Sequence, residues 1–204
     1  MNTQTRAKTL WMAQTAILAA IIILMAFTPL GYLRAGPIEI TFLTIPVVVG
    51  AILVGPASGA VLGAVFGATS FATAFSSVFG AALLAINPFY TFILTMIPRI
   101  LMGWLVGLIF RALFKVDRTR ILSYTIASLS GALLNTILFV GTLFLLFGNS
   151  DYLRSFGDST LEILGVLVTV NAAVEAAATM VLGAAVTKGL SVAIKHRQGK
   201  STTT

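Results

Sequence analysis

The sequence predicts an all-α membrane protein, a bundle of six transmembrane helices with both termini in the cytoplasm. Hydrophobic residues make up 58% of the 204-residue chain and charged residues only 9%, against roughly 25% charged in an average soluble domain. Long apolar runs alternate with short polar breaks, and the runs lack the alternation of barrel strands. We expect a single domain over residues 1–204.

Six apolar segments define the predicted spans. They lie at residues 10–29, 42–55, 57–75, 90–114, 121–147 and 161–194, and a basic tail follows at about 195–204. The first segment is too long for a typical signal peptide and has no clear cleavage site after it, so it is predicted to be a retained helix. The second carries Pro46 and ends at the dipeptide Gly55-Pro56.

The thirteen Lys and Arg residues indicate the orientation. Two precede the first span, four lie from the end of the fourth span to the start of the fifth, and four lie near the C-terminus, which makes ten in segments assigned to the inside. The outer loops keep only Arg34 and Arg154, and Arg99 lies within a span. Because cytoplasmic loops are enriched in basic residues, the net charge of +7 is interpreted as topology and not as a sign of nucleic-acid binding.

The third span has a glycine at every fourth position: Gly55, Gly59, Gly63 and Gly67. An interior glycine costs a soluble helix about 1 kcal/mol relative to alanine. Between membrane helices, however, small residues allow the backbones to approach closely. The stripe therefore predicts a helix packed tightly against its neighbours.

Four polar residues within the spans are candidates for function: Arg99, Asn135, Asn171 and Glu175. Such groups are costly in a membrane and usually mark a functional site. Counted from the outer ends, Arg99 lies roughly 15 Å deep and the two asparagines roughly 18 Å, with Glu175 one turn deeper on the face of Asn171. These depths predict a site for a small polar solute that enters from outside. Alternatively, Arg99 and Glu175 neutralise each other and the asparagines bond to neighbouring helices.

The outer connections add a second set of candidates. Glu39 and Thr41 lie in the first outer loop, and Asn87 and Tyr90 lie between the third and fourth spans. Tyr90 could cover a bound ligand or anchor the chain at the membrane interface.

The catalytic motifs that we considered do not occur. The chain has no cysteine, no P-loop, no HExxH and no GxSxG, and its single histidine, His196, lies in the basic tail. We therefore predict a protein that is not an enzyme, with no catalytic residue, no metal and no cofactor.

Two stretches resemble a known family. TFLTIPVVVGAILVGPASGAVLGAVFGATSF (41–71) and NPFYTFILTMIPRILMGWLVGLIF (87–110) are similar to the substrate-binding S-components of energy-coupling factor (ECF) vitamin transporters. The ordered set of a proline-bearing second helix, a Gly-Pro turn and a glycine-striped third helix carries the resemblance, which covers nearly the whole chain. The second helix looks most like the pantothenate branch, with the hydroxymethylpyrimidine and folate branches close behind.

The resemblance implies a vitamin-binding subunit in a prokaryotic plasma membrane, partnered by a transmembrane T-component and two ATPase subunits. A small-xxx-small motif on the first helix contacts the T-component in the family, and Ala16 and Ala20 match it here, although packing within the chain is the alternative. Pantothenate carries a carboxylate that Arg99 could bind through its fork of donors. Asn87, Asn135 and Asn171 could then bind the hydroxyls and the amide.

Two other interpretations stay open. The chain could bind a different vitamin, such as hydroxymethylpyrimidine or folate. It could also be a stand-alone secondary transporter, although such proteins usually contain an internal repeat and no convincing repeat is visible in this sequence.

Overall fold

The computed structural model describes residues 3–29, 31–35, 38–115, 121–155 and 176–189. These residues form eight helices and one β-hairpin. In chain order the elements are α1 (Thr3–Ala26), β1 (Tyr32–Ala35), β2 (Ile38–Thr41), α2 (Thr44–Leu53), α3 (Pro56–Ala74), α4 (Val78–Ile86), α5 (Pro88–Phe114), α6 (Ile121–Phe147), α7 (Asp151–Arg154) and α8 (Ala176–Gly189). Within α8, residues Thr179–Gly183 form a π-helical turn.

Four of the described helices are long and apolar enough to cross a membrane: α1, α3, α5 and α6. The chain is thus a predominantly helical, multi-pass membrane protein. The predicted second span corresponds to α2, whose ten residues rise only about 15 Å, half of the roughly 30 Å hydrocarbon core. Much of the predicted sixth span lies outside the described residues, so six spans and the cytoplasmic termini stay predictions.

A β-hairpin occupies part of the predicted first outer loop. Strands β1 and β2 pair antiparallel, with Tyr32 opposite Thr41 and Arg34 opposite Glu39. The backbone N–H of Phe42 donates to the carbonyl of Gly31 at 2.9 Å and closes the base of the hairpin. The all-α prediction missed this element.

The short helix α2 is enclosed by the rest of the bundle. All its residues except Ile45 and Leu53 are buried. Pro46 lies in the first turn, where a helix does not need its backbone N–H. The helix ends at a sharp corner, because Gly55 has a φ of 120° and Pro56 begins α3 at a position that suits proline.

The glycine stripe of α3 faces α5. A Cβ atom added to Gly59 would lie 2.2 Å from the carbonyl oxygen of Gly103, and one added to Gly63 would lie 2.2 Å from that of Arg99. The two backbones therefore touch with no room for side chains, as the stripe predicted. Near the corner, Gly107 of α5 packs against Pro56 in the same way.

We call the end of the bundle that carries this corner the inner end, and the end that carries the hairpin, α4 and α7 the outer end. A buried hydrogen bond of 2.9 Å joins Thr15 of α1 to Ser58 near the start of α3. Helix α2 rises from the corner through only about half of the membrane thickness. The hairpin that precedes it therefore lies in the outer half of the bundle.

Candidate functional site

Arg99 lies in the middle of α5, and only 8% of it is exposed. The preceding residue, Pro98, has no backbone N–H and so cannot bond to the carbonyl of Leu94. The Nη1 atom of Arg99 donates to that carbonyl oxygen at 2.9 Å. The side chain thus supplies the donor that the proline removes, and this bond holds one edge of the guanidinium against α5.

Two aromatic rings flank the guanidinium. The Cζ atom of Arg99 lies 5.5 Å from the ring centre of Phe66 on α3 and 4.4 Å from that of Phe139 on α6. A desolvated contact of a cation with an aromatic face is worth about 2 kcal/mol. The sequence analysis did not predict that these rings contact Arg99. For Phe66 a signal was available, because it lies next to the glycine stripe that packs against α5.

Asn135 lies close to this group on α6. Its exposure is 5%, and it precedes Phe139 by four residues, so the two side chains share one face of the helix. Asn135 is therefore about one helical turn, roughly 5 Å, further toward the inner end than the ring that contacts Arg99. The structure thus places a buried cation and a buried amide on adjacent helices, in the interior of the bundle.

Asn171 and Glu175 lie outside the described residues, so their contribution to this site and the Arg99–Glu175 pair stay predictions. Glu39 is opposite Arg34 in the hairpin register, and its side chain also lies outside the described part. Among the residues that the structure describes, no three His, Cys, Asp or Glu side chains come together as a metal site would require.

The remaining predicted residues of the outer connections have structural partners. Asn87 is the N-cap of α5: its Oδ1 accepts hydrogen bonds from the backbone N–H groups of Phe89 at 3.0 Å and Tyr90 at 3.1 Å. Thr41 is buried, and its Oγ1 accepts a hydrogen bond from the N–H of Leu43 at 3.3 Å, just before α2. Each side chain therefore has a structural role at the start of a helix.

Tyr90 is exposed at the outer end, where its ring meets the ring of Phe147 edge-on at 6.1 Å. It precedes Arg99 by nine residues, or about 13 Å along α5.

An apolar cluster lies at this end of the bundle. It contains Leu83, Leu94, Leu143, Phe147 and Leu153, with Phe79, Phe139 and Tyr152 packed against it. The predicted site residues therefore lie at two levels of the bundle, with Arg99 and Asn135 in the interior and Asn87 and Tyr90 at the outer end. Phe139 contacts both Arg99 and the outer cluster.

Desolvation by burial raises the pKa of Tyr152 above 10.0. Its hydroxyl therefore stays protonated at neutral pH, and the ring contributes to the outer cluster as a neutral group.

Ala16 and Ala20, the predicted partner interface, are exposed on α1. They lie four residues apart and so share one face of the helix. The adjacent Thr15 is buried and bonds to Ser58. This bond fixes the rotation of α1, so that Ala16 and Ala20 face away from the described part of the bundle.

Together, the fold and the buried cation define a multi-pass helical membrane protein with a polar group in its interior. A comparison with protein-family models identifies residues 11–194 as an ECF transporter, substrate-specific component. The chain therefore belongs to the family of ECF transporter substrate-specific components, as the resemblance had suggested. No curated protein matches the chain closely enough to add a substrate.

Proposed function

We propose that this protein is the substrate-binding component of an ECF importer for pantothenate. The observation that carries the choice of an acidic vitamin is the buried Arg99 guanidinium in the interior of the bundle. A guanidinium forms charge-assisted, bidentate hydrogen bonds with carboxylates, so a buried arginine suits a negatively charged ligand.

The geometry around Arg99 suits a carboxylate. A guanidinium has five N–H donors in a planar fork, so the bond to the Leu94 carbonyl is compatible with a carboxylate at another edge. The rings of Phe66 and Phe139 restrict the guanidinium, and a restricted fork loses less entropy when it binds. Asn135, one turn away, would bind an amide or hydroxyl of the same ligand.

In this proposal the chain captures the vitamin from outside the prokaryotic plasma membrane and delivers it inward. A transmembrane T-component and two ATPase subunits would supply the energy. The exposed pair Ala16 and Ala20 on α1 is the proposed contact with the T-component, because small residues let a partner helix approach closely.

Calorimetric titration of the detergent-purified chain tests the substrate. We expect tight one-to-one binding of pantothenate and much weaker binding of its alcohol analogue, which lacks the carboxylate. Arg99→Gln should weaken pantothenate binding by about 100-fold or more, since removing one partner of a buried ion pair costs about 3–5 kcal/mol. Arg111→Gln, at an exposed arginine of the same helix, should change the binding free energy by less than about 0.5 kcal/mol.

The alternatives give different results in the same experiment. Arg99→Gln also removes the donor to Leu94, so its melting temperature is measured in parallel. A lower melting temperature with unchanged affinity would assign Arg99 to the scaffold. Tight binding of folate or hydroxymethylpyrimidine would keep the family and change the substrate. In a separate assay, transport by the purified chain alone in vesicles would instead favour a secondary transporter.

A further inference from the structure

The helix α4 joins α3 to α5 at the outer end, and its surface has an unusual composition. Its nine residues, VFGAALLAI, include no polar side chain, and only Gly80 and Leu83 are buried. Val78 is 88% exposed. A helix that is apolar all round is normally surrounded by protein or by lipid, yet Val78, Ala81, Ala85 and Ile86 of α4 are exposed.

The apolar surface continues onto both neighbouring helices. Phe75 at the end of α3 and Phe89 at the start of α5 are each 66% exposed. Phe71 meets both Phe75 and Phe92 edge-to-face, at 5.5 and 5.4 Å between ring centres. We call the exposed side chains of Phe75, Val78, Ile86, Phe89 and Phe92 the α4 surface.

The chain around α4 carries no charge. No Asp, Glu, Lys or Arg occurs between Glu39 and Arg99. Two polar side chains at the ends of α4 have local partners: Ser77 accepts a hydrogen bond from the N–H of Gly80 at 3.0 Å, and Asn87 caps α5. A segment in contact with lipid requires its polar groups to be hydrogen-bonded within the protein.

The other outer helix, α7, has the opposite character. Asp151 and Arg154 are exposed in its single turn, and Asn149 is exposed just before it. The rings of Phe79 and Tyr152 lie 6.1 Å apart and join α4 to α7. The outer end therefore has one charged side and one uncharged, apolar side, held together by an aromatic contact.

We propose that α4 lies at the outer edge of the hydrocarbon core, with the acyl chains of the outer leaflet covering the α4 surface, while α7 lies at the aqueous face. The level of α4 in the bundle agrees with this position. Helix α3 has 19 residues and rises about 28 Å from the corner at Gly55, so α4 begins near the edge of a hydrocarbon core roughly 30 Å thick. This proposal depends on the membrane fold alone and is independent of the vitamin bound.

Site-specific fluorescence quenching tests the proposal, because the chain has no cysteine. Val78→Cys and, as the matched control, Asn149→Cys are each labelled with an environment-sensitive fluorophore and reconstituted into phosphatidylcholine vesicles. We expect brominated phosphatidylcholine to quench the label at position 78 strongly. Iodide in the buffer should quench that label several-fold less than the label at position 149.

Two results would overturn the proposal. Equal quenching by iodide at positions 78 and 149 would place α4 in water. Quenching at position 78 by neither reagent would show that protein, such as a second copy of the chain, covers the surface. Ile86→Cys provides a second position on the α4 surface, so the conclusion does not depend on one label.

Discussion

At the scale of single residues, the contact between Gly63 and Arg99 links the packing of the bundle to its candidate site. The carbonyl oxygen of Arg99 lies 2.2 Å from where a Cβ of residue 63 would be, so the stripe on α3 determines how near the Arg99 backbone can come. The Arg99 side chain in turn contacts the ring of Phe66, which lies about one turn after Gly63 on α3. The glycines thus have a consequence beyond helix association, because they set the position of the buried cation.

Gly63→Ala should therefore destabilise the protein and weaken ligand binding together. The added methyl group would push α5 away from α3, and overpacking of this kind costs about 1–3 kcal/mol. The control is Gly141→Ala on α6, where a Cβ would meet nothing within 4 Å and where alanine should stabilise the helix by up to about 1 kcal/mol. Melting temperatures in detergent compare the two variants. Equal shifts would contradict the backbone contact at Gly63.

At the scale of secondary-structure elements, α1 is the least buried of the four long helices. Many of its large apolar side chains are exposed, including Met12, Ile17 and Leu24. Thr15 faces inward to Ser58, while the alanine pair of residues 16 and 20 faces outward. The helix is thus attached along one side and presents an apolar surface that includes two small residues on the other.

Replacing both Ala16 and Ala20 with leucine should prevent assembly with the T-component and leave vitamin binding intact. The larger side chains would keep a partner helix from approaching closely, and because both positions are exposed they should not disturb the bundle. Co-purification with the T-component and calorimetry on the isolated chain measure the two effects. Ala85→Leu, at an exposed alanine of α4, is the control. Full recovery of the T-component with the double variant would mean that its interface lies elsewhere.

At the scale of the whole molecule, the ends of the bundle differ in charge. The inner end carries Arg111 and Lys115 at the end of α5, and α1 starts beside Arg6 and Lys8. The outer end carries the uncharged α4 and the short α7, which contains one acidic and one basic residue. This asymmetry agrees with the orientation predicted from the basic residues, with the inner end in the cytoplasm.

Cysteine labelling in intact cells tests that orientation. Asn149→Cys should react with a membrane-impermeant maleimide added outside, whereas Lys115→Cys should react only after the cells are permeabilised. Both positions are exposed and lie at opposite ends of the bundle, so each serves as the control for the other. The reverse pattern would invert the topology.

Much of the fold could be predicted because membrane helices are encoded locally. Apolar runs of sufficient length located α1, α3, α5 and α6, and the glycine spacing predicted the close packing of α3. The apolar run 42–55 also located α2, which covers Thr44–Leu53. The β-hairpin before it was not predicted, because strand pairing depends on contacts between segments and not on an apolar run. The candidate site was only partly predictable. Arg99 and Asn135 were evident as polar residues within spans, but nothing in their local sequence identified Phe66 and Phe139 as the neighbours of Arg99.

The sequence by itself determined that this protein is a helical membrane protein of the ECF substrate-specific family, since composition, hydrophobic length and ordered motifs are properties of the chain alone. Tertiary structure decided how the polar groups are used. It assigned Asn87 and Thr41 to helix starts, turned Ala16 and Ala20 outward, and left the apolar α4 uncovered by the bundle. The physical reason is that burial and hydrogen-bond partners depend on residues distant in sequence, which come together only when the helices pack.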